Sequence, residues 1–576
     1  MRLKKREILL IAALLMLFGG LFIKSLVMTD FGKIKVDQVR INAVNEKGET
    51  GVLQGRIFVP DSATPETPAP AILLCPGGNA PMENMDDLAL EFARRGYVAL
   101  DFDPFTIGRS DNITIGTDAG SVSAYEYLCN LPFVDASATG AGGHSAGVGR
   151  IKAMAVDEDW NSTGPLAVLN FAASTDYAPE TRLHIGYTVA KWDTTRKTPP
   201  VNDVAHILQV MGLEPGDTYE LGKWYYNDEG YGRIAYTAST WHSATLLTPA
   251  MVRYALDFFM ETVPGHNGLS SSSLIYFWTE VLSAIAFLGV FLLIFPVADY
   301  IFSFPFFKTV NKSVPEPAGV VDWQFVFYLL LPGIISGFIA PWMVFNGQNF
   351  LNHVPFFDAT NTNGMIFWFM GNSLITLVIL TLRMRFDPRV DPLRLKTHLK
   401  IQVRQVFKAM LAAFLSIFSL YMVCLLTESL FKGNAPRLWK IQLNTFTVPR
   451  IGYFLCYIPL YIATNLVGGY SQTLGLRIKG APEWTFTLLT WFSISLGPMI
   501  FLIRVYGTLF LGRPTLIQNA QMSRANGSMF NLMFCFLFVP WITTHFYKKT
   551  GSFYTGAFIN SFLLCWTALA TELLRV

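Results

Sequence analysis

Apolar positions follow two different rhythms along this chain. Between Thr29 and about Gly268 they come in short bursts separated by polar segments rich in turn residues. Ala71–Cys75 (AILLC), Tyr97–Phe102 (YVALDF), Ala167–Phe171 (AVLNF) and Leu183–Val189 (LHIGYTV) read as buried strands. Met85–Arg95, with Leu88, Leu90 and Phe92 on an approximate face, reads as a helix between two of them. Strand, helix, strand at this spacing predicts a mostly parallel sheet with helices on both sides. Residues 39–62 hold a Gly-bearing turn between alternating runs, which predicts an antiparallel hairpin.

From Ser271 onward the apolar runs lengthen. Eight candidate spans fall at roughly 274–297, 324–345, 363–382, 409–430, 451–470, 485–510, 529–547 and 554–573. A ninth is the run Ile8–Ile23, extended by softer residues through Met28 and preceded by the basic MRLKKRE. No small-x-small cleavage site follows Ile23, so a retained anchor is expected. The chain therefore divides into an anchor at 1–28, an α/β domain at 29–268 and a membrane domain at 269–576. With the basic amino terminus inside, the α/β domain lies outside the cytoplasm, and a bacterial plasma membrane is the expected setting. Arg383, Arg385, Arg389, Arg394, Lys396, Lys400, Arg404 and Lys408 then fall inside, as do Lys308, Lys312, Arg477, Lys479, Lys548 and Lys549. Lys432, Arg437, Lys440, Arg513 and Arg524 fall outside and fit that rule less well.

Composition agrees with this division. Hydrophobic residues make up 52% of the 576 and charged residues 15%, too few for a wholly soluble protein of this size. The net charge of +3 gives no support to a nucleic-acid partner. Six cysteines show no CxxC pair and no zinc-like spacing. Cys75 and Cys129 fall in the α/β domain, where a disulfide is possible but nothing requires one.

Candidate chemistry enters at Gly143-His144-Ser145-Ala146-Gly147, which matches G-x-S-x-G. A serine on a tight strand-to-helix turn exposes its hydroxyl above the sheet, and small residues on each side avoid the turn. The motif follows two strand–helix units and precedes Val148–Val156, which can form a helix. With AILLC-PGGN at 71–79 and YVALDFDPFTIGRSD at 97–111, the chain over about 45–262 resembles the α/β-hydrolase superfamily. The likeness is greatest to dienelactone-hydrolase-like and acyl-thioesterase-like members. One departure is Ala136–Gly142 (ASATGAG), small and polar where that family has a branched apolar strand.

The serine needs a base, and the base an orienting acid. His242 follows the run Arg233–Thr237 and precedes the helix candidate Leu246–Met260, where the family presents its histidine. His144 sits inside the elbow and points the wrong way; His184, His206 and His266 lie elsewhere. Asp193, after Leu183–Val189, is the first candidate for the acid, and Asp176, after Ala167–Phe171, is the alternative. Oxyanion donors are expected from the Ala146 amide and from the turn at Gly78 or Asn79. The expected function is that of a serine hydrolase or acyltransferase acting on an ester or thioester. No cofactor or metal motif is present.

Little room for a cap separates Asp111, Ser145 and His242, so the mouth of the site is expected to face the membrane domain. A lipid or other acyl-bearing substrate follows from that expectation. Arg504, inside a span, is a possible headgroup contact, and Glu280 and Glu428 lie near span ends. The rival readings are a membrane transporter or sensor with a hydrolase-like domain, and a scaffold with a degenerate one.

Overall fold

The computed structural model describes residues 4–155, 164–173, 175, 177–178, 181–193, 211, 213, 217–317, 321–386, 402–439, 441–511 and 520–575. Asp176, His206, Lys440, Arg513 and the basic residues Arg389, Arg394, Lys396 and Lys400 lie outside the described residues.

A nine-stranded sheet carries the first part of the chain. Its strands are β1 (Ile34–Val44), β2 (Thr50–Pro60), β3 (Ala69–Cys75), β4 (Val98–Phe102), β5 (Val134–His144), β6 (Ala167–Phe171), β7 (His184–Ala190), β8 (Tyr225–Tyr226) and β9 (Gly232–Ala238). Their order is β1-β2-β4-β3-β5-β6-β7-β9-β8. The six strands from β4 to β9 by way of β3 and β5 pair in parallel, while β1, β2 and β8 add antiparallel edges. Strands β3 and β4 are buried along their whole length, as apolar runs covered on both faces must be. The covering helices include α2 (Asp86–Arg94), α3 (Ser121–Cys129), α4 (Ala146–Ala155) and α5 (Pro249–Thr262); α1 is the amino-terminal helical segment Lys5–Met28.

The small, polar run 136–142 lies within β5, and packing explains its composition. A Cβ on Gly140 would fall 2.6 Å from the ring of Phe259 on α5. The aromatic side chain supplies the bulk that the strand lacks.

Beyond the sheet lie α6 (Tyr276–Ser303), α7 (Trp323–Leu351), α8 (Thr360–Phe386), α9 (Val403–Leu430), α10 (Val448–Gly475), α11 (Glu483–Phe510), α12 (Ala520–Thr550) and α13 (Tyr554–Leu569). Among the described residues seven helices are long and apolar enough to cross a membrane: α1 and the segments within α6 through α11. The expected count of nine is thus seven by that measure. The other two segments are helical, but α13 has only 16 residues and is mostly buried inside the bundle. Helix α1 meets α6 backbone to backbone: a Cβ on Gly289 would fall 2.7 Å from the Ala13 carbonyl oxygen.

Charged side chains join the sheet to the bundle. Arg437, in the loop after α9, is buried and reaches the Glu83 carbonyl and the Glu280 carboxylate, with Asp87 at 3.5 Å and Asp86 at 3.7 Å. Arg56 Nη1 reaches both Asp86 oxygens, at 2.5 and 2.6 Å, and Nη2 donates to the Gly433 carbonyl at 3.1 Å. Arg109 pairs with Glu428 at 3.0 Å, and Lys432 with Asp37 at 2.6 Å. Cys75 and Cys129 are both free thiols.

Candidate active site

Ser145 sits between the end of β5 and the start of α4 with φ at +54°, a left-handed conformation that side-chain-bearing residues seldom adopt. The flanking glycines are forced by the tightness of this turn. A Cβ on Gly143 would lie 2.5 Å from the Gly147 carbonyl oxygen, and one on Gly147 2.4 Å from that of Cys75. The Ser145 amide donates to the Phe171 carbonyl at 2.9 Å, which ties the elbow to β6.

His242 Nε2 lies 2.9 Å from Ser145 Oγ, and His242 Nδ1 lies 2.9 Å from Asp193 Oδ2. These three residues follow the ends of β5, β7 and β9; β7 and β9 are adjacent in the sheet, and β6 separates them from β5. The loop after β9 is held by several bonds. Trp192 N donates to the Thr240 carbonyl at 2.9 Å, Thr245 Oγ1 to the His242 carbonyl at 3.0 Å, and Thr248 Oγ1 to Thr240 Oγ1 at 2.8 Å. Asp193 is buried, so its carboxylate faces the imidazole in a medium that strengthens the contact. His144 is not a partner of the serine; its Nε2 lies 3.1 Å from the His242 carbonyl and braces the histidine loop. His184 Nδ1 accepts from Gly232 N, and burial holds its imidazole below the usual range.

The turn at 76–79 packs on the elbow. A Cβ on Gly77 would be 3.3 Å from Ser145 Cβ, and one on Gly78 3.4 Å from Ala146 Cβ. Arg150 is a residue that the sequence reading missed. From α4 its guanidinium donates to the Pro76 carbonyl at 3.0 Å and the Gly77 carbonyl at 3.5 Å. In a trans peptide the N–H points opposite the C=O. Pinning these two oxygens therefore aims the Gly77 and Gly78 amides away from Arg150. No motif marked Arg150 in the sequence: it stands in AGVGRIKAMA five residues after the serine, beside a second basic residue, Lys152.

Asn79 joins this turn to the bundle: its Oδ1 accepts from Leu573 N at 2.5 Å, just past the end of α13. Nearby, Leu574 N donates to the Thr106 carbonyl, and Arg450 donates to the Gly108, Leu569 and Glu572 carbonyls. Asp103 accepts from Met82 N at 2.7 Å, three residues past this turn, and from Arg109 N at 2.8 Å. Burial, and then the neighbouring Glu83 charge, push the Asp103 carboxyl up to about 7. Glu83 itself is held below the usual range: burial works against ionisation, but Arg109, Arg56 and Arg437 outweigh it. Arg504 is not brought to this group. It lies on α11 and donates to the Gly337 and Phe338 carbonyls of α7 at 3.1 Å each. No cluster of metal-ligating side chains occurs among the described residues.

Architecturally, the chain is a mixed, mostly parallel α/β-hydrolase-like sheet joined to a separate all-helical region. Among solved structures the likenesses are distant. A hypothetical protein from Pseudomonas aeruginosa is 24% identical over 24% of this chain and 43% of its own, with a TM-score of 0.21. The esterase LipW from Mycobacterium marinum is 14% identical over 43% of this chain and 88% of its own, at 0.30. A dienelactone hydrolase-like promiscuous phosphotriesterase from metagenomic libraries is 13% identical over 44% and 98%, at 0.27. No protein-family profile and no curated protein matches the chain.

Proposed function

We propose that this protein is a membrane-bound serine hydrolase or acyltransferase acting on an ester or thioester of a lipid-like substrate. The reading rests on one observation: Ser145, strained at φ +54°, has its hydroxyl 2.9 Å from an imidazole whose other nitrogen is 2.9 Å from a buried carboxylate. In this mechanism His242 takes the Ser145 proton as Oγ attacks the acyl carbon. The developing oxyanion is met by the Ala146 amide and by an amide of the Gly78–Asn79 turn. Asp193 orients the imidazolium, which returns the proton to the leaving group as the acyl–oxygen or acyl–sulfur bond breaks. Water, or an acceptor alcohol or amine, then gives its proton to His242 and releases the acyl group from Ser145.

One observation favours a substrate drawn from the membrane, and a second bears on which side of it the serine faces. The turn that packs on Ser145 is bonded through Asn79 to Leu573, at the end of the last bundle helix. The cations Lys312, Lys408, Arg477 and Lys549 gather at the opposite end of the bundle, through Lys312–Gln402, Lys408–Thr309, Arg477–Pro315 and Lys549–Asp299. That asymmetry favours the sheet and its serine on the extracytoplasmic side.

A chain-length series of p-nitrophenyl esters tests the proposal on purified full-length protein. Turnover should rise from acetate to long-chain esters and vanish in Ser145→Ala. Equal turnover in wild type and Ser145→Ala would refute it.

A further inference from the structure

The turn at 76–79 is gripped from two directions. On one side Arg150 holds the Pro76 and Gly77 carbonyls. On the other stands Asn79, left-handed at φ +60°, a conformation that asparagine tolerates but that its surroundings must hold. The tail past α13 holds the Asn79 side chain at both ends. Oδ1 accepts from Leu573 N, which fixes Nδ2 as the other end of the amide. Nδ2 is then the donor to the Glu572 carboxylate.

Glu572 is 6% exposed, an unusual burial for a carboxylate. Asn361 N, in the first turn of α8, donates to its Oε1 at 2.9 Å, and Thr362 Oγ1 lies 3.5 Å from Oε2. A carboxylate at a helix amino terminus answers amides that the helix leaves free. That cap accounts for the α8 contacts and leaves the one to Asn79 over. The backbone beneath the carboxylate is fixed as well. Arg450 of α10 donates to the Leu569 carbonyl at 2.6 Å and the Glu572 carbonyl at 2.8 Å, and Leu574 forms an antiparallel bridge with Ala359. Glu572 is therefore anchored to the bundle, and Asn79 to Glu572.

We propose that Glu572 is a positioning residue for the reaction at Ser145: fixed against α8 and α10, it holds the Asn79 side chain, and through it the turn whose amide meets the oxyanion. The proposal rests on the reading of Ser145 as the nucleophile. It makes the site composite, with Arg150 setting one end of the turn from within the sheet unit and the bundle setting the other. Glu572 acts through Asn79 and not on the acyl group, so its loss weakens the hold on the developing oxyanion and leaves ground-state binding alone.

A long-chain alkyl trifluoromethyl ketone, beside the p-nitrophenyl esters, tests this on purified full-length protein. Ser145 Oγ adds to the ketone carbon, the C=O π pair becomes the oxyanion, and the hydroxyl proton passes to His242. The ketone's Ki therefore reads the oxyanion site. Asn79→Asp keeps the acceptor for Leu573 but sets a second carboxylate against Glu572. Glu572→Gln keeps one acceptor for Asn361 and turns an N–H towards Asn79. Each should raise Ki about tenfold and lower kcat in step, with KM for the ester unchanged. Combined, they restore a donor opposite an acceptor, since the introduced glutamine can donate to the introduced aspartate. Ki should then return to within about threefold of wild type. A merely structural role would not move Ki: end-point fluorophosphonate labelling counts intact sites, and lost fold lowers only that count. An unchanged Ki in both single variants, or a double variant no better than Asn79→Asp, would overturn the proposal. Should Glu572→Gln fold poorly alone, the comparison of Asn79→Asp with the double variant carries the test. Wild type inert towards ketone and ester alike would instead sink the reading of Ser145, so the two failures are distinguishable.

Discussion

Arg150 carries the most specific claim at the residue scale. If it aims the Gly77 and Gly78 amides by holding the carbonyls behind them, Arg150→Ala should slow acylation of Ser145 by about tenfold to a hundredfold, somewhat less than loss of a direct oxyanion donor. Arg150→Lys should recover part of the rate, and the melting temperature should barely move. A rate that falls only in proportion to stability would make Arg150 a packing residue. Gly140 offers a contrasting prediction. Gly140→Val should destabilise the sheet by about 1–3 kcal/mol through overpacking against Phe259, seen as a lowered melting temperature. The serine was legible from five residues because strain there leaves a glycine signature. Arg150 was not, since an arginine in a helix has no motif. The small residues of the run 136–142 had no visible reason in the sequence, because their partner Phe259 is more than a hundred residues further along the chain.

Elements meet through charge in this molecule. Lys432 and Arg437, which sat awkwardly with the positive-inside rule, are occupied by Asp37 and by the Glu83, Asp86, Asp87 and Glu280 group. Their carboxylate partners lie far away along the chain, so sequence alone could not pair them. Removing the cation leaves several buried acids uncompensated. Arg437→Met should therefore cost about 3–5 kcal/mol, measured as a loss of thermal stability. A neutral outcome would mean that the acids already carry protons. Asp103 gives a pH test. Its carboxyl stands at about 7 in the fold against an ordinary 3.8, so the folded chain holds a proton there that the unfolded chain has released. That contribution to stability is complete below about pH 4 and is lost as the pH rises through 7. Asp103→Asn, locked neutral, should flatten the dependence of melting temperature on pH across that window. An unchanged slope would contradict the shift.

Across the whole molecule, the tail past α13 lies against the sheet that follows α1. If the helices cross a membrane, both lie on one side of it, which requires an even number of crossings between them; among the described residues the six helices α6 to α11 are long and apolar enough. The strand–helix alternation and the long apolar runs were readable because burial imposes period and length. Whether a helix as short as α13 spans or only fills the bundle was not readable, since both require apolar residues. Deleting residues 571–576 removes the Leu573 and Leu574 bonds to the sheet unit. The truncated protein should keep its fold and lose a large part of its Ser145 reactivity; full reactivity would show that the bundle does not shape the site.

The central claim is that Ser145 is activated by His242 and Asp193. Fluorophosphonate labelling of the full-length protein, followed over time and mapped by peptide mass, tests it most directly. Wild type should label at Ser145, Ser145→Ala not at all, and His242→Ala roughly a thousandfold or more slower. A folded wild-type protein that resists the probe, or one that labels as fast without His242 as with it, would contradict the account.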